Sequence, residues 1–141
     1  MIPICAWAIA QLLKVFVVLI QENRWDWWFL VKSGGMPSSH TALVTSLATA
    51  VAIIQSLNSV AFAITAILAM VVMYDAAGVR QAVSQQSIIL NRIVRVLLDK
   101  RPREEVEQDL REFIGHTPFQ VIIGAVLGIL FTWLWLIISG V

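Results

Sequence analysis

Apolar positions gather into four blocks along the chain, at 1–21, 37–56, 59–76 and 117–138, with polar stretches between them. Each block approaches the ~20 residues that a helix needs to cross the hydrocarbon layer of a bilayer. The pattern predicts four transmembrane helices. Between the third and fourth blocks the period changes: Val79, Val83, Leu90, Ile93, Val94 and Leu97 recur at helical spacing against a stripe of Arg80, Ser84, Ser87, Asn91 and Arg95. That alternation predicts an amphipathic helix at the membrane surface. Asp99-Lys100-Arg101-Pro102 reads as a linker, and Glu104 and Glu105 open a short helix with Val106, Leu110 and Phe113 as its apolar stripe, ending at Gly115. The expected fold is all-α: a polytopic membrane protein forming one domain over 1–141, with a helical insertion at 79–115 on one side of the bilayer.

Composition agrees with that pattern. The 141 residues are 59% hydrophobic and 13% charged, with a mean hydropathy of +0.82, too apolar for an ordinary soluble domain. The first block lacks the basic start and small-residue cleavage site of a secretory signal, so it is read as a membrane helix. Threading four helices puts Arg24, Lys32, Arg80, Arg92, Arg95, Lys100, Arg101, Arg103 and Arg111 on one face, which leaves Lys14, inside the first helix, as the remaining basic residue. By the positive-inside rule that face is cytoplasmic and both termini lie on the opposite one. The acidic residues lie on the same face, which holds the net charge at +1 and argues against a nucleic-acid partner. Trp25, Trp27, Trp28 and Phe29 read as an interfacial belt, with Trp7, Trp133 and Trp135 toward the other face. A lone Cys5 excludes an intrachain disulfide, and one cysteine with two histidines gives no expectation of a metal.

The candidate chemistry starts at Ser33-Gly34-Gly35-Met36-Pro37-Ser38-Ser39-His40, a glycine-broken loop running into the second helix, which is expected to begin at about Pro37. Gly35 lets the backbone turn its amides toward one point. Ser38 and Ser39 sit where free N–H groups concentrate at a helix start, a natural oxyanion site, and His40 adds a group suited to proton or phosphoryl transfer. A capped helix start with a chance histidine fits the same residues. Lys14 lies deep in the first helix, where it either snorkels to the surface or meets an anion. Asp75, at the end of the third block, is costly there unless bonded or paired; it is a site candidate or a solvated helix end in contact with Arg80. Counted at about 100° per residue, Asn91 and Arg95 return to within roughly 20° and 60° of Arg80. The stripe either lines a phosphate pocket or is the wet face of an interfacial helix. His116, with Thr117-Pro118, opens the last helix as His40 opens the second. The topology therefore brings His40, His116, Asp75, Arg80, Lys14 and Arg111 to one level at the cytoplasmic edge. Two histidines suit a two-step phosphoryl transfer, with the cations stabilising the phosphate oxygens.

Gly34-Gly35-Met36-Pro37-Ser38-Ser39-His40, Tyr74-Asp75-Ala76-Ala77-Gly78-Val79-Arg80, Leu90-Asn91-Arg92 and Gly115-His116-Thr117-Pro118 together resemble the divergent branch of the type 2 phosphatidic acid phosphatase family. That family is related to acid phosphatases and vanadium-dependent haloperoxidases. The resemblance spans nearly the whole chain. It implies that His40 is the general acid, that Ser38 and Ser39 hold phosphate, and that His116 is the nucleophile with Arg111 ahead of it. The chain departs from the wider pattern in three ways. Four residues rather than five separate Arg111 from His116, Gln120 stands where an aspartate is expected, and Lys14 is followed by no Arg-Pro. We expect Asp75 to take the place of that aspartate in fixing the tautomer of His116.

The resulting expectation is a lipid-phosphate phosphatase needing no cofactor, in contact with membrane lipids, with phosphate or vanadate as fitting site ligands. Its candidate site is His116, His40 and Asp75 with the phosphate contacts Lys14, Gly35, Ser38, Ser39, Arg80, Asn91 and Arg111. The alternative is a non-catalytic lipid-phosphate binder, transporter subunit or scaffold. A homo-oligomer is compatible with either.

Overall fold

The computed structural model describes residues 1–22, 35–79, 82–83, 85–90, 93 and 117–140. The protein is an all-α polytopic membrane protein. Helix α1 spans Ile2–Glu22, α2 Ser39–Gln55, α3 Val60–Tyr74 and α4 Pro118–Ser139, and α3 runs on into a π-helical segment, Asp75–Val79. Positions 82–83, 85–90 and 93 are also helical, and the apolar Val83, Leu90 and Ile93 stand exposed there. Most of the expected insertion at 79–115 lies outside the described residues.

Among the described residues, three stretches are long and apolar enough to cross a bilayer: Ile2–Ile20, Val60–Val79 and Pro118–Ser139. The fourth apolar helix, α2, has 17 residues. At 1.5 Å per residue it is about 25 Å long, short of the ~30 Å hydrocarbon thickness. Pro37 does not begin it, contrary to the expectation from sequence. Ser38 stays extended at φ −71°, ψ 109°, because its N–H is drawn to the Gln120 carbonyl of α4 at 3.2 Å, and the helix starts one residue later. The third helix also outruns its apolar block at 59–76: from Asp75 the backbone widens into the π turn and continues to Val79.

Short α2 is the centre of the bundle, packed by α1, α3 and α4, while α1 also meets α4 and the π segment touches α4. Its composition is the reason. Ser39, Thr41, Ala42, Thr45, Ser46 and Ala50 are buried and small enough to let neighbours approach closely. The closest approach is to α4. Ser38 faces Gly124, Ala42 faces Gly128 and Ser46 faces Thr132, a constant offset of 86 positions, so the two helices run parallel with both N-termini at one end. A Cβ on Gly124 would collide with the Ser38 carbonyl oxygen, and one on Gly128 with Thr45 Oγ1 and the Ala42 carbonyl. Hydroxyls fill the seam. Ser46 and Thr132 share a 2.6 Å hydrogen bond, and Thr45 Oγ1 donates to the Ala125 carbonyl at 3.3 Å. The outer faces of α1, α3 and α4 carry Leu12, Phe16, Ile64, Ile67, Ile122 and Ile129, exposed as lipid-facing residues should be.

Candidate functional site

Five of the predicted site residues, Lys14, Gly35, Ser38, Ser39 and His40, lie at or beside the start of α2. Gly35 has φ +82°, a conformation open to glycine and strained for other residues. A Cβ there would also stand 3.3 Å from Lys14 Cγ and 3.4 Å from its Cδ, with Cε at 4.0 Å. The lysine stem therefore runs alongside the loop, and the ammonium one bond further on is held next to it. Lys14 is 2% exposed. It does not snorkel. Glu22 ends α1 two turns later, about 12 Å further along the axis, so the loop and Lys14 sit below the end of the first helix.

Ser38 is fully buried, and its bonds decide what the helix start offers. Its N–H donates to the Gln120 carbonyl, its own carbonyl accepts from Ala42 N–H at 3.1 Å, and its Oγ accepts from Thr41 Oγ1 at 2.9 Å. It is the N-cap of α2, yet its side chain makes no capping bond. Among the described residues, the starts of α3 and α4 are closed by side chains. Ser59 Oγ accepts from Phe62 N–H on α3, while Thr117 and Gln120 form a reciprocal capping box on α4. A helix N-terminus carries about half a positive charge on its first N–H groups, and burying it uncapped invites an anion. Ser39, also buried, and His40 belong to that first turn, with His40 exposed at its mouth. Lys14, Gly35, Ser38, Ser39 and His40 are thus assembled by three segments of the chain.

Asp75 opens the π segment and is half-buried, next to Ala76, which is fully packed. Single-turn π segments are frequent at functional sites because the widened turn redirects side chains without ending the helix. Asp75 and His40 are each engaged with a neighbouring group. Arg80, Asn91, Arg111 and His116 lie outside the described residues. Gln120, standing where an aspartate was expected, has its Oε1 accepting from Thr117 N–H at 3.2 Å, which gives its side chain a capping role in the first turn of α4.

Thr41 and Gly124 were not among the sequence candidates, although one holds the Ser38 hydroxyl and the other admits the Ser38 carbonyl to α4. Gly124 and Gly128 stand four apart, a small-residue spacing that marks close helix packing without specifying its partner. The arrangement is a buried lysine whose stem lies against Gly35, followed three residues on by an uncapped helix start with a buried serine hydroxyl. It is suited to a tetrahedral oxyanion.

A sequence profile described as the Divergent PAP2 family matches residues 1–131. The uncharacterised membrane protein YuiD of Bacillus subtilis (strain 168) is 39% identical over 132 residues, covering 87% of this chain and 84% of that protein. No solved structure matches.

Proposed function

The chain belongs to the divergent PAP2 family, and from that premise we propose that it is a metal-independent lipid-phosphate phosphatase working through a histidine nucleophile at the cytoplasmic face of the membrane. One observation supports this reading most directly: Lys14, only 2% exposed, has its stem against Gly35, just ahead of the uncapped start of α2. An ammonium at that depth costs a few kcal/mol unless an anion or hydrogen bonds compensate it. A substrate phosphate supplies that anion. Integral-membrane placement favours a substrate that is itself a lipid, such as phosphatidate, phosphatidylglycerol phosphate or a polyprenyl phosphate.

In this mechanism the His116 imidazole attacks phosphorus, and the P–N bond forms as the ester P–O bond breaks. His40 gives its proton to the departing alkoxide. His40 then takes a proton from water, whose oxygen attacks the phosphohistidine, releasing inorganic phosphate and restoring His116. Lys14, the amides from Gly35 and the first turn of α2, Ser38 and Ser39 stabilise the phosphate oxygens, joined by Arg80, Asn91 and Arg111. Each such donor is worth roughly 10²–10³ in rate when aimed at transition-state charge. Asp75 fixes the tautomer of His116.

Protein purified in detergent without divalent metal is to be offered a panel of lipid phosphates. Release of phosphate, abolished by His116→Ala and slowed by Asp75→Asn, is the expected result. No release from any lipid, with binding retained, refutes the enzyme and leaves a second reading, a lipid-phosphate binder or transport scaffold. The capping role of the Gln120 side chain favours that second reading, because the group at this position serves the helix start.

A further inference from the structure

Ser38 has four hydrogen-bonding functions, and three are committed within the protein. Its N–H goes to Gln120, its carbonyl receives Ala42 N–H, and its Oγ receives the hydroxyl proton of Thr41. The uncommitted function is its own O–H proton. An N-cap serine ordinarily turns its oxygen onto the amides two or three residues ahead, as Ser59 does toward Phe62 N–H at 3.1 Å. Ser38 does not. The residue whose amide it would cap is Thr41, which reaches the same oxygen with its side chain instead.

Thr41 is itself unusual. The other described threonines within helices, Thr45, Thr49, Thr65 and Thr132, each donate to the backbone carbonyl four residues earlier. Thr41 differs from these four: its hydroxyl donates to a side chain, Ser38 Oγ, in place of a backbone carbonyl. It is fully buried, so water does not compete for that bond, and its branched side chain restricts rotation within the helix. With a proton arriving from Thr41 and its oxygen turned from the backbone amides, Ser38 has its own proton to give, and the first amides of α2 keep their positive potential.

We propose that Thr41 is a positioning residue: it holds Ser38 as a hydrogen-bond donor to a bound phosphate and prevents Ser38 from capping the helix start that binds the same anion. This rests on the reading that the site takes a phosphate. The physical trade is specific. Without the Thr41 hydroxyl, Ser38 Oγ is released to cap its own helix, a change that strengthens the helix and removes a charge-assisted donor from the anion.

The test uses the whole protein in detergent micelles, with orthovanadate as the phosphate probe, titrated calorimetrically beside thermal unfolding without ligand. Thr41→Ser keeps the hydroxyl and is expected to bind as the unaltered protein does. Thr41→Val is expected to bind about tenfold more weakly, the value of one charge-assisted hydrogen bond, while melting at the same temperature or higher. In a Ser38→Ala background, Thr41→Val is expected to change nothing further. Unchanged vanadate affinity in Thr41→Val overturns this role for Thr41 and leaves the phosphate site standing. A lower melting temperature in Thr41→Val, or a loss that adds to that of Ser38→Ala, assigns Thr41 to packing and also overturns it. Failure of the folded, unaltered protein to bind vanadate brings down the phosphate reading itself, and this inference with it.

Discussion

Replacing Gly124 by alanine puts a methyl group where α4 touches the Ser38 carbonyl, and the structure sets the cost. The added Cβ collides with the carbonyl oxygen and stands 3.2 Å from both the Ser38 carbonyl carbon and its Cβ, whereas ordinary contact is 3.4–4 Å. The two helices must separate by on the order of 1 Å to restore van der Waals distances. Overpacking of this kind costs about 1–3 kcal/mol. The Ser38 N–H to Gln120 bond, already 3.2 Å, is stretched out of range at a further cost of about 1 kcal/mol. Against these stands the gain of about 1 kcal/mol that alanine has over glycine in a helix. The net expectation is destabilisation by about 1–3 kcal/mol, read as an earlier midpoint when a denaturing detergent is titrated into mixed micelles and helicity is followed. Gly78→Ala is the control, since its nearest neighbour is Tyr74 Cζ at 4.0 Å and no clash arises. If Gly124→Ala unfolds within about 0.5 kcal/mol of the unaltered protein, the helices are not in the close contact described, and the placement of Ser38 loses its support.

Lys14→Met removes a buried charge while keeping much of the side-chain volume. The detergent titration is expected to give a midpoint equal to or higher than that of the unaltered protein, together with loss of vanadate binding; unchanged binding separates Lys14 from the anion site. For the Ser46–Thr132 pair, a double-mutant cycle of Ser46→Ala and Thr132→Val is expected to return a coupling of about 0.6 kcal/mol, typical of hydrogen bonds between membrane helices, and zero coupling refutes the pairing.

Much of the candidate site's local geometry was legible in the residues because it is set by near neighbours along the chain. Glycine at 35 announces a turn with positive φ, and serines ahead of an apolar helix announce a helix start. Lysine inside an apolar block announces an unmet charge. Less legible was how each group is used. Ser38 has the identity of a capping residue and does not cap, because Thr41 one turn on and Gln120 on a distant helix claim its atoms. Gln120 looked like the loss of an aspartate and acts in a capping box. Pro37 looked like the first residue of a helix and precedes it.

Hydrophobic periodicity alone determined that this is an all-helical membrane protein and roughly where its apolar helices lie, since burying backbone polar groups in lipid admits few other solutions. The residues also named the glycine-broken loop and the lysine inside the first apolar block. Tertiary structure decided which small residues meet: an offset of 86 positions between α2 and α4 follows from steric fit at Gly124 and Gly128, and no local pattern encodes it. It also decided that Lys14 turns inward along Gly35 instead of outward to the surface, because the loop lies against its stem and covers it.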